Sequence, residues 1–262
     1  MAAKDTEKYA VPGLERGLRI LSEFSRQTPT LTAPELARRL SVPRTTIFRL
    51  LVTLENLGFV ERLNNGRDYQ LGTAVLRLGF EYLASLSITE LSRPILERLR
   101  DDTGYSSNLV IRDRRDIVYI QKVAPASVFS SSVHIGTRLP AHATVLGRVL
   151  LSHHSFEQLQ TLYPEERLQA HGPNTPATTH DLYTLLQKDK ARGYVMEEGF
   201  FETNISTIAA PVHDESGVVA AALGLTVPNL RIPEVEREQL IEKVKNAARS
   251  LSISLNYSGA YA

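Results

Sequence analysis

The chain has 262 residues, of which 42% are hydrophobic and 23% are charged; this fits one large or two modest globular domains and argues against disorder. It contains no cysteine, which excludes thiol catalysis, iron–sulfur clusters, disulfide bonds and cysteine-type zinc sites. The net charge of +1 excludes a globally basic nucleic-acid coat, but the part up to Gly72 holds 11 Lys and Arg against 8 Asp and Glu, an excess with the sign expected for contact with phosphates.

Three helices are predicted at the start of the chain. Apolar residues recur at helical spacing over residues 14–24. Thr32 and Glu35 have the spacing of a capping box, which predicts that a second helix begins there, and Pro43 suits the first turn of a third. The third helix has one apolar face, made of Ile47, Leu50, Leu51 and Leu54.

A hairpin is predicted directly after these helices. Residues 59–63 and 68–71 are short strand-like runs on either side of Asn64, Asn65, Gly66 and Arg67, and Asn-Gly between apolar runs is a strong hairpin signal. Three helices followed by a hairpin form a winged helix-turn-helix, which we assign to residues 11–72.

The outer face of the third helix and the hairpin carry the candidate DNA contacts. Arginine, threonine and a phenylalanine on this helix can reach base edges in a major groove roughly 12 Å wide, and the arginines of the hairpin can reach the backbone or the minor groove. The alternatives are solvated surface charges or a winged helix that serves protein contacts only. The candidate residues are Pro43, Arg44, Thr45, Thr46, Phe48, Arg49, Arg62, Asn65 and Arg67.

A single helix is predicted over residues 73–86, with apolar side chains on nearly every side. Such a helix must be buried on several faces. Between two domains, packing against its copy in a second subunit would bury it, so we interpret residues 73–87 as a linker and dimerisation helix.

The remaining residues predict an α+β domain with a mainly antiparallel sheet, because strand hairpins are interspersed with helices. The expected strands are residues 107–111, 117–123, 133–135, 206–213 and 218–227. The expected helices are residues 91–100, 143–151, 156–162 and 181–191, and a last helix that begins at Pro233.

A candidate anion site lies in the segment from Gly136 to Gly147. Pro140 is expected to end a strand, and the helix that follows would direct unpaired N–H groups and a partial positive charge outward. This arrangement suits a carboxylate, although an ordinary turn between a strand and a helix has the same pattern.

Enzyme, metal and membrane signals are weak. The chain has no nucleophile elbow, phosphate-binding loop or dinucleotide-binding glycine motif, and its seven histidines form no zinc-protease motif. The adjacent His153 and His154 are a weak metal signal; a site that combines His142 with a distant carboxylate stays open, and we expect neither metal nor cofactor. No apolar run approaches ~18 residues and the first residues lack a signal-peptide core, so we expect a cytoplasmic protein without a membrane span.

Several motifs together resemble the IclR family of bacterial transcriptional regulators. The resemblance extends from about Val11 to Tyr257. It rests on Leu14-Glu15-Arg16-Gly17-Leu18, Ala37-Arg38-Arg39-Leu40, Pro43-Arg44-Thr45-Thr46, Arg49-Leu50-Leu51-Val52-Thr53-Leu54, Tyr69-Gln70-Leu71-Gly72, Arg138-Leu139-Pro140-Ala141-His142-Ala143-Thr144 and Ile208-Ala209-Ala210-Pro211-Val212.

The resemblance implies a GAF-like C-terminal domain, residues 88–257, that binds a small organic acid. It also implies a homodimer, or a dimer of dimers, that binds double-stranded DNA at a palindromic operator. The effector pocket implied by the resemblance consists of Leu139, Ala143, Val145, Leu146, Glu197, Thr207, Gly224 and Thr226.

The implied pocket differs from that of members that bind glyoxylate or pyruvate. Those members are smaller at the positions of Val145 and Leu146, and they often have cysteine at Thr207 and serine at Gly224, so a two- or three-carbon acid fits less well. The run from Arg138 to Thr144 is similar to that of regulators of aromatic-acid catabolism. Because an ionised Glu197 would repel an anionic ligand, a hydroxylated aromatic acid suits the pocket best, with its carboxylate at the N-terminus of the helix that follows Pro140 and its hydroxyl toward Glu197.

We therefore predict a ligand-responsive, sequence-specific DNA-binding regulator. One alternative is an enzyme whose second domain acts on its ligand, with the helix-turn-helix as an appendage. Another is a partner-binding scaffold without affinity for DNA.

Overall fold

The computed structural model describes residues 10–63, 66–125, 133–172, 174–229 and 231–259, and its contacts divide the chain into two units, Met1–Ser85 and Leu86–Ala262. The first unit begins with three helices, α1 (Pro12–Ser22), α2 (Ala33–Leu40) and α3 (Arg44–Asn56). The predicted capping box is present at the start of α2: Thr32 Oγ1 accepts the Glu35 N–H at 3.3 Å, and Glu35 Oε2 accepts the Thr32 N–H at 2.9 Å.

A three-stranded antiparallel sheet completes the helix-turn-helix. Strands β2 (Val60–Arg62) and β3 (Asp68–Leu71) form the predicted hairpin, and β1 (Leu31–Thr32) pairs with the other edge of β3. Two residues are too few to show an alternating pattern, so the sequence did not predict β1. The core beneath the sheet includes Ile20, Leu36, Ile47, Leu51, Val60 and Tyr69, which confirms the winged helix-turn-helix.

Helix α4 (Ala74–Ser85) closes the first unit at the position predicted for the linker. The side chains of Leu76, Leu78, Phe80 and Tyr82 are all more than half exposed. Contacts among the described residues of this chain therefore do not provide the burial on several sides that the sequence predicts for this helix.

The second unit is built on a six-stranded sheet in the order β6-β5-β4-β9-β8-β7, with every neighbouring pair antiparallel. This confirms the predicted α+β class. Its strands are β4 (Ser106–Asp113), β5 (Asp116–Val123), β6 (Arg138–Pro140), β7 (Val195–Glu198), β8 (Ser206–His213) and β9 (Val219–Val227). Its α-helices are α5 (Ser87–Thr103), α6 (Val145–Leu151), α7 (Phe156–Leu162), α8 (Thr179–Arg192) and α9 (Glu234–Ser254).

One strand prediction in this unit was wrong, and one strand was not predicted. Residues 133–135 are not a strand; the chain turns at Gly136, where φ is +85°, and the strand follows as β6. Pro140 ends β6 without loss of a ladder bond because β6 is an edge strand. Strand β7 was not predicted, because its Glu197 and Glu198 hide the usual pattern of a strand.

Helix α6 also begins later than predicted. A single 3₁₀ turn, Ala141–Ala143, precedes it, and Thr144 forms its N-cap. All seven residues of α6 are buried, and the helix packs on the face of the sheet that carries Ala209 and Gly224. This packing sets the position of a cavity between α6 and the sheet, described below.

We predict that His142 makes the second unit lose stability in mild acid. The side chain is 4% exposed; burial lowers the pKa of His142, nearby His171 and Arg115 lower it further, and the Gln169 carbonyl and Asp116 oppose them. In the unfolded chain a histidine takes up its proton near pH 6.5, so stability is kept above that pH and lost as the pH falls below it.

Urea unfolding between pH 7.5 and 5 tests this prediction. We expect His142→Gln, which keeps a donor for Gln169, to lose less stability over this range than the unaltered chain. Replacement of the exposed His180 by glutamine is the matched control for the loss of a surface histidine. Equal pH dependence in the His142→Gln variant and the unaltered chain would contradict the prediction.

Candidate DNA-binding and effector-binding sites

Helix α3 presents a polar outer face above a buried inner one. Ile47 and Leu51 are fully buried, whereas Arg44, Thr45 and Arg49 are exposed. The burial follows from the 3.6-residue period, which places the side chains at 45 and 49 on one side and those at 47 and 51 on another. An exposed, rigidly held helix of this kind can enter a DNA major groove.

The remaining candidates on α3 flank this face. Phe48 is 50% exposed, Thr46 is half-buried, and Pro43 is exposed at the N-cap of the helix. No acidic residue lies in the first turn of α3, so no carboxylate there repels phosphates.

The two arginines of the hairpin have different surroundings. Arg62 Nη2 lies 3.1 Å from Glu55 Oε2 of α3, and its guanidinium lies 5.1 Å from the centre of the Tyr69 ring, so Arg62 holds the hairpin to α3. Arg67 is exposed next to the turn at Gly66. Asn65, also predicted to contact DNA, lies outside the described residues.

A cavity of about 60 Å³ lies between α6 and the sheet, and because most of the predicted effector residues line it we refer to it as the effector cavity. Six of the predicted effector residues line it: Leu139, Val145, Leu146, Glu197, Thr207 and Thr226. The lining residues that were not predicted are Tyr119, Val133, Thr144, Phe200, Phe201, Glu202 and Ile205.

Two predicted effector residues do not line the cavity. Ala143 is fully buried in the 3₁₀ turn. Gly224 lies beneath Leu146, since a Cβ at this glycine would come within 2.6 Å of Leu146 Cδ2. Gly224 therefore acts on the cavity indirectly, because it lets Leu146 settle against the sheet.

A row of polar side chains crosses the floor of the cavity. Glu197 on β7 pairs directly with Thr207 on β8, and Thr207 pairs with Thr226 on β9. Directly paired residues project from the same face of a sheet, with neighbouring strands roughly 4.8 Å apart. Asn108 Nδ2 donates to Thr226 Oγ1 at 2.9 Å, which leaves the hydroxyl hydrogen of Thr226 able to donate to a ligand.

The expected anion site at the helix N-terminus is partly satisfied within the chain. Thr144 Oγ1 accepts the N–H of Gly147 at 3.2 Å, so this donor is not directed at a ligand. The hydroxyls of Thr207 and Thr226 are the better placed partners for a carboxylate in this cavity.

A buried ion cluster, which the sequence did not predict, fixes Glu197. The side chain of Arg148 is 1% exposed; its Nε and Nη2 donate to both oxygens of Asp189 at 2.8 and 2.7 Å, and its Nη1 donates to Glu197 Oε1 at 2.7 Å. The guanidinium also lies 5.0 Å from the centre of the Phe200 ring. Glu197 therefore borders the cavity as a carboxylate held by a cation.

One sequence signal could have indicated this cluster. Arg148 is the only charged residue in α6, whose other six residues are apolar. A charge in a helix with no solvent-facing side requires a buried partner.

No metal site or membrane span is found in the described part of the chain. Its His, Asp and Glu residues form no group of three that could hold a metal ion, and none of its helices has the length and apolarity needed to cross a bilayer. His142 Nε2 instead lies 2.9 Å from the Gln169 carbonyl oxygen.

A winged helix-turn-helix followed in the chain by a sheet domain with a cavity is the arrangement expected of a ligand-responsive DNA-binding regulator. Residues 13–64 match the IclR helix-turn-helix domain, and residues 80–253 match the C-terminal domain of bacterial IclR transcriptional regulators. The chain belongs to the IclR family of bacterial transcriptional regulators, with a helix-turn-helix and an effector-binding C-terminal domain.

Individual relatives agree with this assignment. The Pca regulon regulatory protein of Pseudomonas putida is 31% identical over 227 residues, which cover 86% of this chain and 77% of that protein. An IclR transcriptional regulator from Alicyclobacillus acidocaldarius superposes with a TM-score of 0.83 at 26% identity, covering 94% of this chain and 100% of that one.

A third relative was crystallised with a ligand. The IclR homolog from Microbacterium hydrocarbonoxydans, in complex with 4-hydroxybenzoate, superposes with a TM-score of 0.81 at 26% identity, covering 93% of this chain and 99% of that one. Relatives known by name are transcriptional regulators and repressors, which gives no support to the alternative of an enzyme.

We predict that Arg148→Met destabilises the second unit by roughly 3–5 kcal/mol, because it leaves the carboxylate of Asp189 buried without its cation. The matched control is Arg138→Met. Arg138 also binds two carboxylates, Asp113 at 2.8 Å and Asp116 at 3.1 Å, but its side chain is 46% exposed. We expect the control to cost less than ~1 kcal/mol. Urea unfolding measures both, and equal losses would contradict the distinction.

Proposed function

We propose that the chain binds a palindromic operator as a homodimer or a dimer of dimers, and that a small organic acid in the effector cavity controls this binding. The observation that carries the DNA part is the exposure of Arg44, Thr45 and Arg49 on a helix whose opposite face is fixed in the core. In this proposal Pro43, Thr46 and Phe48 adjoin the same groove, and Arg62, Asn65 and Arg67 contact the neighbouring backbone or minor groove.

Each of the three proposed domains has one of these roles. We assign residues 11–72 to DNA binding, 73–87 to the linker and dimer contact, and 88–257 to effector binding. Leu76 and Phe80, four residues apart on one face of α4, are exposed and support a dimer contact, because large apolar side chains grouped at the surface are typical of an interface. Leu78 is exposed on another face of the same helix. Since its operator would lie on a bacterial chromosome, we place the protein in the cytoplasm.

We predict that Arg49→Ala weakens operator binding by about 1–3 kcal/mol, because it removes a bidentate contact to a base edge. Arg19→Ala is the control, since Arg19 lies on α1 with its side chain 57% exposed and pairs with Glu15. Gel shifts at fixed salt with the promoter DNA next to the gene measure both. An unchanged affinity of Arg49→Ala, or an equal loss in the control, would exclude a base-reading role for Arg49.

For the effector, the proposal is a hydroxylated aromatic acid. Arg148 keeps Glu197 as a hydrogen-bond acceptor, which suits a hydroxyl donor on the ligand. Thr226 lies two strands away, roughly 10 Å across the sheet, and can donate to a carboxylate at the far end of a ring. The relative with bound 4-hydroxybenzoate supports this ligand class.

The cavity must enlarge to admit a ring. A volume of about 60 Å³ holds only a few atoms, so a monocyclic acid has to displace wall residues such as Leu146 or Phe201. Such a displacement gives the ligand different affinities for two arrangements of the protein, which any control of DNA binding requires.

Calorimetric titration of the full chain with 4-hydroxybenzoate and benzoate tests the effector proposal. We expect the hydroxyl to raise affinity at least tenfold, and Glu197→Ala to reduce this advantage below threefold, since a hydrogen bond to a charged group contributes about 1.5–3 kcal/mol. Asp189 still pairs with Arg148 in that variant, so the core keeps its ion pair.

Thr226→Val is the matched control for the other end of the ligand. It should weaken both acids equally and leave their ratio unchanged. If neither acid binds the unaltered chain, the effector class is wrong; if both bind with the same affinity, the role of Glu197 is wrong.

A further inference from the structure

A second cavity in the C-terminal unit has no role in the regulator as described so far. It is a cleft of about 350 Å³ between the C-terminal end of α8 and the middle of α9, and β7 and β8 also contribute to its walls. None of its lining residues borders the effector cavity. We refer to this cavity as the α8–α9 cleft.

The charged side chains of the α8–α9 cleft leave a positive excess. Three cations line it, Lys190, Lys245 and Arg249, together with two carboxylates, Asp189 and Glu242. Both oxygens of Asp189 accept hydrogen bonds from the buried Arg148, so this carboxylate is already paired with a cation. Glu242 lies 2.9 Å from Lys245 Nζ. An anion entering the cleft therefore meets more positive than negative charge.

One wall of the cleft is made of rings. The His213 ring stacks on that of Tyr257 with centroids 4.9 Å apart, and His153 lies 5.7 Å from His213. Burial lowers the pKa of both histidines, which favours neutral rings at pH 7. A neutral imidazole has an N–H donor on a largely apolar body, and the apolar side chains of Val149 and Val195 also line the cleft.

We propose that the α8–α9 cleft is a second ligand site, which binds a small organic anion, either a carboxylate or a phosphate monoester, that carries an apolar ring. The cations at the rim hold the acid group and the ring wall holds the apolar part. A volume of 350 Å³ falls at the lower end of the range of small-molecule pockets, roughly 300–1,000 Å³. The site shares no lining residue with the effector cavity, so the regulator would bind two ligands.

The absence of tryptophan from the chain allows each cavity to be observed by itself. Tyr257→Trp places a single fluorophore in the α8–α9 cleft, and Phe201→Trp places one at the effector cavity. The probes are benzoate and phenyl phosphate, with benzyl alcohol as the uncharged comparison. We expect both anions to change the fluorescence of Tyr257→Trp with saturation, and benzyl alcohol to bind at least tenfold more weakly.

Charge reversal on α8 tests whether the cations hold the anion. In the Tyr257→Trp background, Lys190→Glu should weaken both anions at least tenfold. Lys188→Glu is the matched control, because Lys188 is exposed on the same helix but does not line the cleft, and it should change affinity less than threefold. Calorimetry on the otherwise unaltered chain, with and without Lys190→Glu, repeats the comparison without the tryptophan.

The outcomes separate this proposal from the effector proposal. The second site is excluded if the fluorescence of Tyr257→Trp does not change up to millimolar anion and calorimetry detects no binding heat that Lys190→Glu abolishes. This conclusion holds whatever the fluorescence of Phe201→Trp shows. Equal losses in Lys190→Glu and Lys188→Glu also overturn it. A response of Tyr257→Trp without one of Phe201→Trp supports the second site and shows that these two anions, which lack the hydroxyl expected to bind Glu197, do not occupy the effector cavity. Binding of only one of the two anions identifies the acid group that the cleft accepts.

Discussion

The C-terminal unit depends on one buried guanidinium. Arg148 joins three elements that are far apart in the chain, α6, α8 and β7, through hydrogen bonds to Asp189 and Glu197. A buried cation is costly unless its donors are paired, and here two carboxylates and the Phe200 ring surround it. The same group pairs with Asp189 at the α8–α9 cleft and fixes Glu197 at the effector cavity, so it contributes to the chemistry of both cavities.

The DNA-binding unit has the opposite arrangement, in which charge is exposed and the apolar side chains provide the rigidity. Ile47 and Leu51 anchor α3 in a core closed by Val60 and Tyr69 of the hairpin, and Arg62 ties the hairpin to α3 through Glu55. The outer face of α3 is therefore held in place without using its own polar side chains. A helix whose position is fixed in this way can read DNA with little loss of conformational freedom on binding.

The sequence predicted some residues of the candidate effector site and missed others. The family motifs identified Leu139, Thr207 and Thr226, which do line one cavity. They gave no indication that Gly224 lies beneath Leu146, because a glycine contributes only space and its neighbour is known only from packing. Phe200 and Phe201 follow β7, a strand that the sequence did not reveal, and so they were missed as well.

The sequence by itself determined the local elements: the capped helices, the hairpin at Gly66, the α4 helix and the alternation of strands and helices. Caps, turns and periodicity act within a few residues, so they can be read without a structure. Only the tertiary structure decided the ion cluster, whose members are 41 and 49 positions apart, and the polar row, which depends on the register of three strands. Such contacts arise from long-range packing, and no local pattern encodes which distant residue meets which.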